Sequence, residues 1–137
     1  MIDVTVAIIT DENDRILIAR RKAGKVMAGF WEFPGGKVEA DETTEESLKR
    51  ELKEEMNVEL HVGNRIAEAI YPYDWGTVRL IAFEAFISDG EIKLLDHDAL
   101  DWAATDEMKQ FGMTPADEPL IEAIEAWLKK RKKQQND

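Results

Sequence analysis

The stretch Gly36-Lys37-Val38-Glu39-Ala40-Asp41-Glu42-Thr43-Thr44-Glu45-Glu46-Ser47-Leu48-Lys49-Arg50-Glu51-Leu52-Lys53-Glu54-Glu55-Met56-Asn57-Val58 decides the reading of this chain. Its second half predicts a helix. Thr43, followed three residues on by Glu46, forms a capping box in which each side chain satisfies the other's free backbone N–H. Leu48, Leu52 and Met56 recur every fourth residue and make one apolar stripe. Asn57 supplies the stop, because its short amide tolerates the left-handed turn that ends helices. On such a helix Glu51, Glu54 and Glu55 share one face over roughly 100°. Like charges at that spacing weaken a helix, and acids near its C-terminus oppose the macrodipole. A purely structural helix gains from lysine or arginine there. A hard divalent cation bound between the carboxylates accounts for the arrangement. Oxygen donors with no histidine or cysteine pair nearby point to Mg²⁺ or Mn²⁺, not Zn²⁺. Taken alone, the three glutamates are also accounted for by a solvated acidic face in a chain that is acidic throughout.

Outward from this helix the pattern turns to strands. Val4 to Ile9 is β-branched and almost continuously apolar, the mark of a strand buried on both faces. Asp11-Glu12-Asn13-Asp14 is a turn, and Arg15 to Arg20 a second strand, so the two predict a hairpin. Trp31-Glu32-Phe33 reads as a short strand ended by the chain breaker Pro34-Gly35-Gly36. Beyond the helix, Val58 to Val62, Ile66 to Tyr73 and Val78 to Ile87 are strand-like, the last two forming a hairpin around Tyr73-Asp74-Trp75-Gly76. Leu120, Ile121, Ile124, Trp127 and Leu128 predict a C-terminal amphipathic helix, with Asp117 as candidate cap and Pro119 in its first turn. Strands on both sides of a central helix, with a second helix at the end, predict an α/β domain with helices packed on a mixed sheet.

Bulk properties set limits. The 137 residues suffice for one domain, 1–128, followed by a basic and polar tail, 129–137. There is no cysteine, which excludes disulfides, thiolate metal sites and a cysteine nucleophile. No apolar run approaches the roughly 20 residues that span a bilayer, and the N-terminus has no secretory pattern, so a cytoplasmic location is expected. Net charge is −11, and setting aside the five positives of Lys129-Lys130-Arg131-Lys132-Lys133 leaves the body at −16. Such a body repels nucleic acid over most of its surface, and phosphate binding needs one local site supplied with cations.

The quoted stretch resembles the Nudix box: Gly36, five residues, Glu42, seven residues, then Arg50-Glu51-Leu52-Lys53-Glu54-Glu55-Met56-Asn57-Val58. One position departs, with Asn57 standing where glycine is usual. The resemblance implies a Nudix α/β/α sandwich in which the box is a loop–helix–loop. It implies that Glu51, Glu54 and Glu55 hold the divalent ions, with a backbone carbonyl at Gly35-Gly36 completing the shell. Glu42 and Arg50 then brace the loop and helix, and Lys37 contacts phosphate. Glu51 is the first candidate for the general base. Asp96, six residues before Trp102, matches a later acidic position used for the same task, and equally fits a turn residue.

Similarity extends through Ile16 to Arg21, Trp31 to Glu39, Trp102 and Pro115 to Ile121, and it is to the MutT-like and CTP pyrophosphohydrolase-like branch. That branch converts nucleoside triphosphates, including 8-oxo-dGTP, to monophosphate and pyrophosphate. It implies that Arg21 reaches the substrate, Phe33 lines the base pocket and Asp117 faces the base. An ionised Asp117 only accepts hydrogen bonds, and it fits the N–H-rich edges of cytosine and 8-oxoguanine alike. The rival expectations are ADP-ribose hydrolysis, to which Pro72 lends a weak clue, and a nucleotide-binding module without turnover. The expected partner is a small nucleotide, with neither nucleic acid nor membrane, for a monomer or homodimer. His61 reads as a surface strand residue and His97 as a turn residue. Trp31, Trp102 and Trp127 read as core; Trp75, at the apparent hairpin tip with Tyr73, is the aromatic least suited to it, with substrate or dimer contact as its other reading.

Overall fold

Both faces of the first strand are covered, which is why it is apolar along most of its length. In the computed structural model, which describes residues 1–135, β1 (Ile2–Ile8) sends Val6 and Ile8 into one core and Ala7, with the following Ile9, into another. Strand β2 (Ile16–Arg21) divides the same way, Ile16 and Ile18 against Leu17 and Ala19. Helix α1 (Thr44–Met56) closes the second core with Leu48, Leu52 and Met56. Helix α2 (Leu120–Gln135) closes the first with Leu120, Ile121, Ile124 and Leu128. The result is an α/β/α sandwich. Each strand's period-2 alternation feeds two helices on opposite sides.

The remaining strands are β3 (Trp31–Glu32), β4 (Gly35–Lys37), β5 (Glu59–Tyr73), β6 (Gly76–Asp89) and β7 (His97–Ala103). They build a four-stranded sheet in the order β4-β1-β6-β5 and a three-stranded sheet in the order β3-β2-β7. Among the strands of the described residues β1 and β6 form the one parallel pair, Val4 opposite Leu80 and Val6 opposite Ala82, and Trp31 adds an isolated parallel bridge to Met113. Both ends of α1 are as the sequence predicts. Thr43 Oγ1 accepts from the Glu46 N–H at 3.1 Å, Glu46 answers the Thr43 N–H at 3.3 Å, and Asn57 closes the helix at φ 62°.

Several expectations are corrected. The β1–β2 hairpin exists only at its base, where the Leu17 N–H donates to Ile9 O at 3.0 Å and Thr10 bridges Ile16. The strands then part into different sheets, because both edges of β1 are taken by β4 and β6. Pro34 does break the chain, yet Gly35 and Gly36 resume as a strand on β1. Val58 to Tyr73 holds one long strand whose register slips between Val62 and Ala67, not two. Strand β7 was not anticipated, and it makes His97 a buried strand residue, not a turn residue. Asp117 does not cap α2: its carboxyl turns instead to the Phe33 N–H, 2.9 Å away. Positions 129–135 of the expected tail continue α2, with Arg131 paired to Asp14 at 3.0 Å and lying over the Trp127 ring. The last two residues of that tail lie outside the described residues. Among those described, no helix is long and apolar enough to cross a membrane.

Candidate active site

The register of β4 on β1 sets Gly36 opposite Thr5 and Gly35 opposite Val6, which slides the two glycines beneath α1. Neither position has room for a side chain. A Cβ at Gly35 would run into the Thr5 carbonyl oxygen, and one at Gly36 into the Glu51 carboxylate. This close approach of backbone to carboxylate is what the glycines provide.

Arg50 ties the loop to the helix. Its guanidinium donates to both Glu42 oxygens at 2.7 and 3.0 Å and to the Lys37 carbonyl at 3.0 Å. Ser47 adds a bond to the same carbonyl at 3.2 Å. The Arg50 contact holds the Glu42 carboxyl down to about 2, and Glu42 in turn raises Arg50 above its ordinary range. The expected bracing pair is therefore in place. Arg50 also reaches Glu51 Oε1 at 2.9 Å and Glu54 Oε2 at 3.2 Å, so its positive charge lies between two of the three box carboxylates.

The third carboxylate has no such relief. Glu55 is buried, and its Oε2 finds no hydrogen-bond partner among the described residues. Burial pushes its pKa well above the ordinary value, and the negative charges of Glu32, Glu51 and Asp96 push it further. Glu51 is raised as well, by burial first, with Arg50 opposing. Buried acids that repel one another and leave an oxygen without a donor are costly unless a cation joins them. Among the described residues no three histidine, cysteine, aspartate or glutamate side chains converge closely enough to hold an ion as they stand. Arg50 is engaged with Glu51 and Glu54, while Glu51 also lies against Glu55. The oxygen-rich donor set, the orphaned Glu55 oxygen and the Gly36 cradle nonetheless fit a hard divalent ion.

A cleft of about 530 Å³ opens from these acids. Arg21, Phe33, Gly35, Gly36, Lys37, Glu55, Asp96 and Asp117, all singled out from the sequence, line it, while Arg50, Glu51 and Glu54 stand on α1 outside its wall. Arg21 is held by Glu32 through contacts of 3.0 and 3.2 Å and by the Val26 carbonyl at 2.7 Å. Asp96 is ion-paired to Lys25. At the apolar end, the buried Asp117 carboxyl is pushed up to about 8 by desolvation, with the Glu32 charge adding to it. It therefore carries a proton through most of the neutral range. The expectation of an acceptor-only aspartate is corrected: one oxygen accepts from Phe33, and the protonated carboxyl can also donate.

Sequence reasoning missed Glu32, His97 and Tyr73. Glu32 links Arg21 to the buried His97, whose Nε2 lies 2.9 Å from Glu32 Oε2. The signal for Glu32 was present, a single acid between Trp31 and Phe33 just before the glycines, but only the β3-β2-β7 sheet brings it to Arg21 and His97. Tyr73 enters because its hydroxyl accepts from the Ala116 N–H at 3.1 Å.

The family model described as NUDIX domain matches residues 5–123. The chain belongs to the Nudix family. This Nudix chain is 40% identical over 126 residues to the CTP pyrophosphohydrolase of Escherichia coli (strain K12), covering 92% of itself and 93% of that protein. It is 28% identical over 127 residues to the 8-oxo-dGTP diphosphatase of Buchnera aphidicola subsp. Schizaphis graminum, covering 90% and 92%. Among solved structures, the MutT protein from Methanosarcina mazei Go1 superposes with a TM-score of 0.80 at 25% identity, covering 96% of this chain and 95% of that one.

Proposed function

We propose that this protein is a Mg²⁺- or Mn²⁺-dependent pyrophosphohydrolase that converts nucleoside triphosphates to monophosphate and pyrophosphate. The observation that carries it is the buried Glu55 carboxyl, with its unpartnered Oε2, in the wall of a cleft that also holds Phe33 and Asp117. One end suits a cation with its diphosphate, the other a base. The names of the relatives, a CTP pyrophosphohydrolase and an 8-oxo-dGTP diphosphatase, agree with this class.

Glu51, Glu54 and Glu55, with the Gly36 carbonyl, would hold the metal. When bound, a divalent ion neutralises the diphosphate oxygens and acidifies the attacking water. The chain's own residues do the rest. Arg21, fixed by Glu32, and Lys37, at the mouth of the glycine loop, face the phosphates with positive charge. Glu51, pressed on Gly36, takes the proton from the water, with Asp96 in the cleft wall as the second candidate. Arg50 is a positioning residue that sets the loop against α1. A neutral Asp117 offers both a donor and an acceptor to a base edge. Cytosine, with its ring nitrogen acceptor beside an exocyclic amine, matches that pair, and so does the amide-like edge of 8-oxoguanine.

A panel of canonical and oxidised nucleoside triphosphates plus ADP-ribose, incubated with Mg²⁺ and resolved for products, tests the reading. Monophosphate and pyrophosphate from a triphosphate are expected. Turnover of ADP-ribose alone would overturn the substrate class and leave the family standing.

A further inference from the structure

One wall of the cleft is aromatic beyond what the core requires. Strand β5 ends in Tyr71-Pro72-Tyr73, the turn Asp74-Trp75 follows, and β6 begins at Gly76. Tyr71, Tyr73 and Trp75 are two residues apart in sequence and form a continuous ladder. The Tyr71 and Tyr73 rings are 4.8 Å apart, and the Tyr73 and Trp75 rings lie 5.1 Å apart and nearly parallel, at 8°. Tyr71 and Tyr73 pack against the core. Trp75 does not: it is 58% exposed although it lines the cleft. An indole stacked on one face and left open on the other gains little for stability in that position.

The ladder is also tied to the polar end of the pocket. The Tyr73 hydroxyl takes the Ala116 N–H at 3.1 Å, one residue before Asp117. Asp117 in turn takes the Phe33 N–H at 2.9 Å. The open aromatic face and the carboxyl that can address a base edge are thus positioned by one short chain of bonds, with the apolar Val78 and Leu80 lining the same cleft. A flat ring with polar edges is the ligand that this combination recognises. We propose that Trp75, backed by Tyr73, is the stacking platform for the nucleobase, while Asp117 meets the base edge. This inference rests on the triphosphate reading above and adds to it a residue that binds the base and takes no part in cleavage.

The test compares wild type with Trp75→Ala and Trp75→Phe on whichever triphosphate the wild type turns over best. Three readouts are taken: the KM and kcat split, product inhibition by the matching nucleoside monophosphate, and inhibition by inorganic pyrophosphate. Loss of one base–aromatic stack is expected to raise KM roughly tenfold. Monophosphate inhibition should weaken to a similar degree. The kcat and the pyrophosphate inhibition should stay near wild type, because neither depends on the base. Trp75→Phe should restore most of the lost KM. Unchanged KM and monophosphate inhibition in an active Trp75→Ala enzyme would overturn the platform alone. So would an equal loss of pyrophosphate inhibition. A change in sedimentation mass with unaltered KM would reassign Trp75 to contact with a second copy of the chain. Absence of triphosphate turnover by the wild type would overturn the substrate reading and the platform together.

Discussion

The two ends of the cleft are built on opposite principles. At the α1 end, charge is concentrated: Glu55 in the cleft wall and Glu51 and Glu54 outside it come from one stretch of helix. Beyond the effect of burial, repulsion by Glu54 raises the pKa of Glu51, and repulsion by Glu51 raises that of Glu55. At the other end, charge is suppressed. Phe33, Tyr73, Val78 and Asp117 come from four separate segments, and the one acid among them holds its proton up to about 8. The comparison teaches how one small site can bind two unlike halves of a molecule. Mutual repulsion prepares the first end for a cation, and desolvation prepares the second for a neutral ring.

The largest expected effect breaks the charged end directly. Glu54→Gln should lower Mg²⁺-dependent turnover by more than about 100-fold, since even the groups behind a metal ligand cost roughly 10–100-fold when removed. Steady-state assay over a Mg²⁺ titration checks it. Full activity in that variant would dismiss the metal assignment.

Glu55→Gln should separate stability from function. It replaces a buried, desolvated carboxyl that has an unpartnered oxygen with a group that cannot ionise, so the metal-free protein should melt several degrees higher while turnover collapses. Added Mg²⁺ should raise the wild-type melting temperature and raise the variant's less. Thermal scans with and without a chelator measure both shifts.

At the apolar end the test is a pH profile. Between its ordinary value of 3.8 and about 8, the folded chain keeps a proton on Asp117 that the unfolded chain has released. Folding therefore takes up a proton, and this contribution to stability falls as pH rises through that window. Above about 8 the loss is complete. Asp117→Asn should flatten the decline in melting temperature between about pH 5 and 8, because the amide keeps a donor and an acceptor at every pH. An identical slope in the variant would show that Asp117 is already ionised when folded.

A smaller effect concerns the brace between loop and helix. Arg50→Lys retains the charge and loses the fork that spans Glu42 and the Lys37 carbonyl. The variant should melt lower by about 2–4 °C, with turnover reduced because the loop under Glu51 is released. Circular-dichroism melting and the same Mg²⁺-dependent assay read the two effects.

Legibility follows the same division. The α1 end was readable because its logic is local: a capping box, a stripe every four residues, an asparagine stop and acids at helical spacing all lie within Gly36 to Val58. The apolar end was readable only through resemblance, and there the chemistry of Asp117 was misjudged. Its proton is held by desolvation, and burial is decided by residues more than 80 positions away, such as Phe33. His97 escaped for a like reason. A histidine between two aspartates reads as a turn until β2 pairs with β7 and brings it to Glu32.

By itself, then, the sequence determined the α/β class, both ends of α1 and the cation-seeking face, because helix period and capping act within a few residues. Tertiary structure alone decided the parting of β1 from β2 into two sheets, the linking of Arg21 through Glu32 to His97, the protonation of Asp117 and the placing of Trp75 at the cleft. Strand pairing and burial depend on which distant segments meet, and dielectric surroundings exist only once they have met.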